Sequence, residues 1–363
     1  MNQSSMTSSS CLVSVVIKTL NEEANICGCI ESALQAVEPY GGEVVLADSC
    51  STDRTVELAS RYPIRIVQLA DAQERCCGIG PQLGFQHSLG EYVYILDGDM
   101  KLVPSFLEHG LTFLAQHPEV AGVGGHIREL NLENLEFRER ALRQVQEPHH
   151  MPGQVDRLDS GGLYRRRAIL EAGYFSDRNL HSYEEFELGI RLRSRGWKLW
   201  RLPVDSATHY GHETPPYQLL KRRWNSGYIC GLGELVRSAI GKPQMRLVLR
   251  DQRELRLYTA VWVWWALLLT AGLWPIPESV GAALFAALLL LPLLAMALRK
   301  RSMERGLYSV VSWCFNAVGL LRGLFRPRRD ARAPIASRVL QEPGQVAARN
   351  ASIGAAGSSL SAS

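Results

Sequence analysis

Paired cysteine spacings are missing from this chain. Its 363 residues include eight cysteines, none in a CxxC arrangement. That excludes a zinc ribbon and a thioredoxin-type centre, and the scatter speaks against a disulfide framework. Cys27 and Cys29 fall on different faces of a helix, and Cys76 and Cys77 are adjacent, so reduced cytosolic thiols are expected. Charge of one sign is also scarce. A net charge of +4 from 40 basic and 36 acidic residues does not point to nucleic acid. No GxGxxG follows the first apolar run, so a dinucleotide site of the Rossmann kind is not supported. The first ten residues, MNQSSMTSSS, lack the basic and apolar regions of a signal peptide. A disordered start over residues 1–11 and a cytosolic N-terminal region are therefore expected.

What the chain has is a series of strands alternating with helices. Leu12 to Ile17 reads as a strand, followed by a helix from Ala24 to about Val37 with Asn21 as N-cap. Glu43 to Ala47 is a second strand ending in Asp48, then comes a helix from about Arg54 to Arg61. Ile64 to Leu69 is a third strand. Tyr92 to Leu96 is a short buried strand that closes on Asp97, Gly98 and Asp99. This alternation predicts parallel βαβ units. Parallel strands share a direction, so the ends of these strands gather on one edge, where open α/β sheets bind ligands. That edge offers Thr19, Glu22, Asp48, Asp53, Asp97 and Asp99. Two carboxylates there can hold a hard divalent cation, which in turn holds phosphate oxygens. Gly98 lets a bulky ligand approach the backbone. The competing readings are a solvated turn for the DGD stretch, caps for Asp48 and Asp53, and a helix-start charge for Glu22.

Further on, Pro104 to about Gln116 reads as a helix and Glu119 to Ile127 as a glycine-rich strand. Glu129 to Gln146, dense in Glu and Arg, reads as a solvated helix. His149 and His150, beside Pro148 and Pro152, read as a loop in preference to a metal site. Ser160, Gly161 and Gly162 precede a basic helix at Arg165 to Arg167, and small residues there let a sugar lie against the backbone. Glu184 and Glu185 open a helix. A carboxylate there can act as a general base, the competing reading being an ordinary charge at a helix start.

In order, SVVIKTLNEEANI, VVLADSCSTDRT, YILDGD, and SGGLYRRRAILEAGYFSD with YEEFELGIRLRSRGWKLWRLPVDSATH resemble the blocks of the family 2 glycosyltransferases. The resemblance covers roughly Leu12 to Trp224. It implies an α/β, GT-A fold with a mostly parallel sheet, and inverting, metal-dependent transfer from a nucleotide sugar, with a UDP-sugar expected. On this resemblance Asp48 contacts the base, and Thr19, Asn21, Glu22, Asp53, Asp97, Gly161 and Gly162 serve the nucleotide sugar. Asp99, Asp97 and His209, or His212 in its place, hold Mn²⁺ or Mg²⁺. Glu185 stands at the catalytic aspartate's position, one methylene longer, with Glu184 as the fallback. Pro81, Gln82, Leu83 and Gly84 stand where the family has an arginine and an asparagine before a glycine, so Arg75 is assigned to the diphosphate. Leu220 replaces the glutamine of the QxxRW motif of processive synthases, which argues against processivity. Arg223 and Trp224 are placed on the acceptor and membrane side.

From about residue 257 the composition turns apolar. YTAVWVWWALLLTAGLW and VGAALFAALLLLPLLAMAL are long enough to span a bilayer and predict a hairpin over about 257–298. Arg250, Arg253 and Arg256 precede it, and Arg299, Lys300 and Arg301 follow it, which places both flanks on the cytosolic side. A third stretch over about 306–325 carries Asn316 and Arg322 and is expected to lie at the interface, a third span being the alternative. The expected layout is a glycosyltransferase domain over 12–240, a membrane region over 241–330 and a disordered tail over 331–363. The expected protein works on the cytoplasmic face of a bacterial inner membrane, moving sugar to a lipid-linked or growing glycan in surface polysaccharide assembly. It has a membrane as partner and no nucleic acid. A polyprenyl-phosphate sugar synthase and an inactive scaffold are the alternatives.

Overall fold

The computed structural model describes residues 11–130, 148–211, 214–273 and 278–345. Two compact units emerge, Met1–Asn179 with Glu184–Glu213 and Arg329–Ser363, and Leu180–Tyr183 with Thr214–Arg328.

The first unit is built on a ten-stranded sheet. Its centre is β1 (Val13–Thr19), flanked by β2 (Glu43–Asp48) and β4 (Tyr92–Asp97), with β3 (Arg65–Leu69) beyond β2. These four run parallel, as the alternation predicts. Beyond β4 the sheet turns mixed. β8 (Gly162–Arg165) is antiparallel to β4 and to β6 (Val120–Glu129). β9 (Lys198–His209) runs parallel to β6, and β5 (Met100–Leu102) and β7 (Gly153–Val155) pair antiparallel with β9. The sheet as a whole is thus mixed, with the parallel part confined mainly to its first half.

Apolar side chains on both faces of β1 explain its central place. Val13, Val15 and Ile17 pack into one core with helices α1 (Ile26–Val37), α2 (Thr55–Ala59) and α4 (Ser105–Gln116). Val16 faces the other, with α3 (Ile79–His87), α5 (Arg166–Ala172) and α6 (Glu184–Arg193). Each such buried aliphatic side chain contributes roughly 1.5–3 kcal/mol. α1 starts later than the sequence suggests, with Asn25 at the N-cap position. Asn21 instead takes a left-handed conformation (φ 59°) and accepts a bond from the Thr52 amide at 2.7 Å, so it is a loop clasp and not a cap. Arg165 closes β8, and α5 begins at Arg166. Glu129 ends β6, while residues 131–146 of the expected acidic and basic helix lie outside the described residues, as does His212.

The expected disorder of the tail is corrected for its first part. Ser337–Gln341 forms β10, antiparallel to β3, and covers that edge of the sheet. Ile335 is 2% exposed in the core, and Arg65 pairs with Glu342 at 2.9 Å. A strand made of small and polar neighbours carries no local signal because its partner lies far back in the chain. Ile335→Ala is expected to cost about 2–5 kcal/mol through the cavity it leaves. Thermal unfolding of the detergent-solubilised chain reads this as a lower Tm.

The second unit is helical, and it starts at Thr214, before the expected domain limit at residue 240. Its elements are α7 (Pro216–Ser226), α8 (Gly231–Ala239), α9 (Met245–Asp251), α10 (Glu254–Leu273), α11 (Glu278–Lys300) and α12 (Met303–Phe325). By length and composition α10, α11 and α12 are all apolar enough to cross a membrane, with mean hydropathies of 1.2, 2.5 and 1.2.

Candidate active site

Strand register assembles the site. Thr19 pairs with Asp48 and Lys18 with Asp97, so the ends of β1, β2 and β4 meet. Met100 pairs with His209 and Glu129 pairs with His209, which brings β5, β6 and β9 to the same end of the chain segment that follows Asp99. Gly98 sits between. A Cβ there would lie 2.9 Å from Thr19 Oγ1 and 3.0 Å from Glu22 Cγ, so only glycine lets the turn close this tightly.

The two acids of the DGD turn have different partners. Asp97 Oδ1 is 3.0 Å from the Lys18 ammonium, and Ser160 Oγ donates to Asp97 Oδ2 at 2.8 Å. The same ammonium lies 3.7 Å from Glu184 Oε1 and 3.7 Å from Glu185 Oε1. One half-buried lysine therefore gathers three carboxylates from β4 and α6. Burial alone would lower the Lys18 pKa, but Asp97, Glu185 and Glu184 overturn that and hold it well above its usual value. Asp99 instead faces His209, with Asp99 Oδ2 3.1 Å from Nε2. Glu129 lies 2.6 Å from His209 Nδ1 and fixes the ring. Burial opposes charge on this imidazole, yet the hydrogen bonds to Asp99 and Glu129 raise its pKa to about 10.

Asp99 and His209 are a matched oxygen and nitrogen donor pair, with Glu129 as the outer partner that sets the tautomer, and this fits a divalent cation. Asp97 is not part of that pair. A separate group, His149, His150 and Asp159, has ligand atoms within 4.8 Å of one another. Its carboxylate is already neutralised by Arg201 at 3.2 Å and Arg157 at 3.5 Å, which disfavours a dication.

The pair at the start of α6 lines a small cleft with Ile95, Ser160, Tyr164 and Ser176. Burial, then the neighbouring Glu185 charge, raises the Glu184 pKa to about 8, while Lys18 opposes. Burial raises Glu185 as well. Glu187, next along, is tied to Arg191 at 2.7 Å and to Tyr174, and is structural. Thr19 Oγ1 and Ser176 Oγ are buried hydroxyls with no hydrogen-bond partner among the described residues, which suits them to a ligand. Between pH 4.5 and about 8 the folded chain keeps a proton on Glu184 that the unfolded chain releases, so stability falls as pH rises through that window. Glu184→Gln is expected to flatten this fall, read as Tm against pH.

The remaining predicted residues have these places. Asp48 is fully buried and accepts from the Ser51 amide at 3.0 Å and from Gln68 Nε2 at 2.8 Å. Asp53 accepts from the Thr55 amide at 3.0 Å and the Glu23 amide at 3.1 Å, as a cap does. Arg75 donates to the carbonyls of Ser49 (2.7 Å) and Cys50, so it braces the Asp48 loop. Gly161 adopts a left-handed φ of 85°, and Gly162 opens β8 beside Tyr164. Arg223 and Trp224 lie on α7 in the helical unit, with Arg223 stacked 5.3 Å from Tyr228 and Trp224 against Phe315. Sequence reasoning missed Lys18 and Glu129, and it read Ser160 only as a small residue beside Gly161, not as a donor to Asp97. The one signal for Lys18 was a charge in the otherwise apolar run SVVIKT.

Residues 14–172 match the family described as "Glycosyl transferase family 2". A *Methanococcus voltae* protein described as a dolichyl N-acetyl-alpha-D-glucosaminyl phosphate 3-beta-D-2,3-diacetamido-2,3-dideoxy-beta-D-glucuronosyltransferase is 23% identical over 215 residues, 54% of this chain and 66% of that protein. A dolichol-phosphate mannosyltransferase of *Pyrococcus furiosus* is 24% identical over 134 residues, 36% of this chain and 38% of that protein. This chain thus spans less than two thirds of either relative's length. Among solved structures, the mannosyltransferase PcManGT from *Pyrobaculum calidifontis*, in complex with GDP-Man and Mn²⁺, superposes with a TM-score of 0.56 at 19% identity. It covers 86% of this chain and 87% of its own.

Proposed function

We propose that this chain, a membrane-associated family 2 glycosyltransferase with a GT-A fold, moves a sugar from a nucleotide-diphospho-sugar to a hydroxyl of a lipid-linked or growing glycan, inverting the anomeric carbon. The observation that carries it is the meeting of Asp97, Glu184 and Glu185 on the Lys18 ammonium, at the strand ends where Asp99 pairs with His209.

In this reading Glu185, the more exposed of the two glutamates, accepts the proton of the attacking hydroxyl. Lys18 and Ser160 orient Asp97 toward the donor sugar. Thr19 and Glu22 close on Gly98 beside the nucleotide, and the Asp48 loop, braced by Arg75, frames the base. Asp99 and His209 hold Mn²⁺ or Mg²⁺, which when bound stabilises charge on the departing diphosphate. The named complex with GDP-Man and Mn²⁺ supports a nucleotide sugar and a divalent ion as the ligand classes. Nucleotide sugars are soluble and charged, so the catalytic unit works on the cytoplasmic face, in a pathway such as bacterial surface polysaccharide assembly.

The dolichol-phosphate mannosyltransferase relative favours a second reading, in which a polyprenyl phosphate is the acceptor. The test is a panel of UDP- and GDP-sugars offered to membranes containing the chain, with acceptors of both kinds and released nucleotide as readout. Release with one donor and a hydroxyl acceptor is expected. Release only with a lipid phosphate would favour the second reading, and no release with any donor would leave an inactive scaffold.

A further inference from the structure

The tail strand constrains how the chain meets the bilayer. β10 belongs to the sheet of the first unit, paired residue by residue with β3. A single sheet lies on one side of a membrane. The chain leaves that unit for the helices at Thr214 and returns at Arg329, so the number of crossings between those points is even. Three helices are long and apolar enough to cross. They cannot all do so.

Contacts within the helical unit select which one does not. α7 lies alongside α12 over most of its own length. Tyr217 meets Tyr308 edge-on at 5.2 Å, and Trp224 meets Phe315 edge-on at 5.2 Å. Arg322 stacks 4.5 Å over Trp224. The partners advance together, so the two helices run in the same direction. Between those contacts α7 carries Lys221, Arg222 and Arg223. Were α12 to span, this basic triplet would sit near mid-bilayer, where unpaired charge is strongly disfavoured. Near the C-terminal end of α12, Gly319 and Gly323 face the backbone of Ile229 and Cys230, where any Cβ would come within 2.4 Å. That close approach ties α12 to a segment made of turns and short helices.

The outward side of α12 is apolar all the same. Met303, Leu307, Val311, Cys314, Val318, Leu321 and Phe325 recur at intervals of three and four along one face; the two at each end are exposed, and Val311, Cys314 and Val318 between them are half-buried. α10 and α11 carry basic residues at the ends away from their connection. We infer that the chain crosses the bilayer twice, through α10 and α11, and that α12 lies flat in the headgroup layer on the side of the catalytic unit. Its apolar stripe enters the lipid there, with the basic residues of α7 toward the anionic headgroups.

The test has two arms on the full chain. Alkaline phosphatase and a green fluorescent protein are fused in turn after Gln345 and inserted after Leu273. Fluorescence without phosphatase activity is expected at the first position, and phosphatase activity at the second. Phosphatase activity after Gln345, or none after Leu273, would overturn the two-crossing topology. In the second arm a fluorophore is placed on Cys314, or on Leu307→Cys or Phe325→Cys, with the other cysteines replaced by alanine. Nitroxide lipids labelled at shallow and deep positions then quench it. A flat helix gives the same shallow-to-deep quenching ratio at all three sites. Deep quenching at Cys314 with shallow quenching at both ends would show a crossing helix.

Discussion

Asp99→Asn is expected to lower nucleotide release by at least ~10²-fold, the scale at which loss of one preorganised electrostatic partner is felt. It should also abolish any rise in Tm that Mn²⁺ gives the wild type, a readout that needs no turnover. The reason is local. Asp99 and His209 face each other at 3.1 Å, and Glu129 holds the far nitrogen of the ring. In the absence of a cation, a proton on His209 satisfies both acids, which is why its pKa stands near 10. An entering metal must displace that proton, so the apparent Mn²⁺ affinity should rise as pH rises toward 10. If Asp99→Asn keeps both the thermal shift and its pH trend, the cation does not bind at this pair. Asp97→Asn is the companion variant. It loosens Lys18 and Ser160 without touching His209, and so should impair turnover while preserving the Mn²⁺ shift.

Glu185→Gln should lower transfer to a hydroxyl acceptor by about 10²–10⁴-fold, the range associated with a lost general base. Donor binding, read by nucleotide-sugar protection against heat, should change little. Transfer to a polyprenyl phosphate needs no base, so near-wild-type activity of this variant on such an acceptor would establish the second reading of the reaction. Glu184→Gln should be milder, since that group is 6% exposed and its carboxyl holds a proton until about pH 8. Equal losses in both variants would mean that the two glutamates act as one unit around Lys18.

The parallel half of the sheet was legible because β1 to β4 each carry a dense apolar run and end in polar residues. The DGD turn and the Glu184–Glu185 pair could be found for the same reason: charge stands where burial has just been established. The antiparallel half was less legible. β9 contains Pro203 and three charged residues, Lys198, Arg201 and Asp205, and it pairs with β6 through several register shifts, so no clean alternation marks it. Asn21 looked like a helix cap because Asn often is one, yet the chain needs a left-handed residue there to reach the Thr52 amide. Asp48 and Asp53 show both sides of the ambiguity that attends short acidic motifs. Both accept hydrogen bonds from the loops around them, and Asp48 also from Gln68 on β3, so each shapes its loop whatever else it contacts.

The edge strand has a consequence for biogenesis. Its partner β3 is complete at Leu69, whereas the first residue paired to it is Ser337. At roughly 5–20 residues per second of synthesis, the open margin waits on the order of a quarter of a minute to a minute for its cover. In that interval the ribosome makes all three of the long apolar helices. Until Ser337–Gln341 emerges, the backbone donors and acceptors of that margin are unpaired, and such an edge invites pairing with other chains.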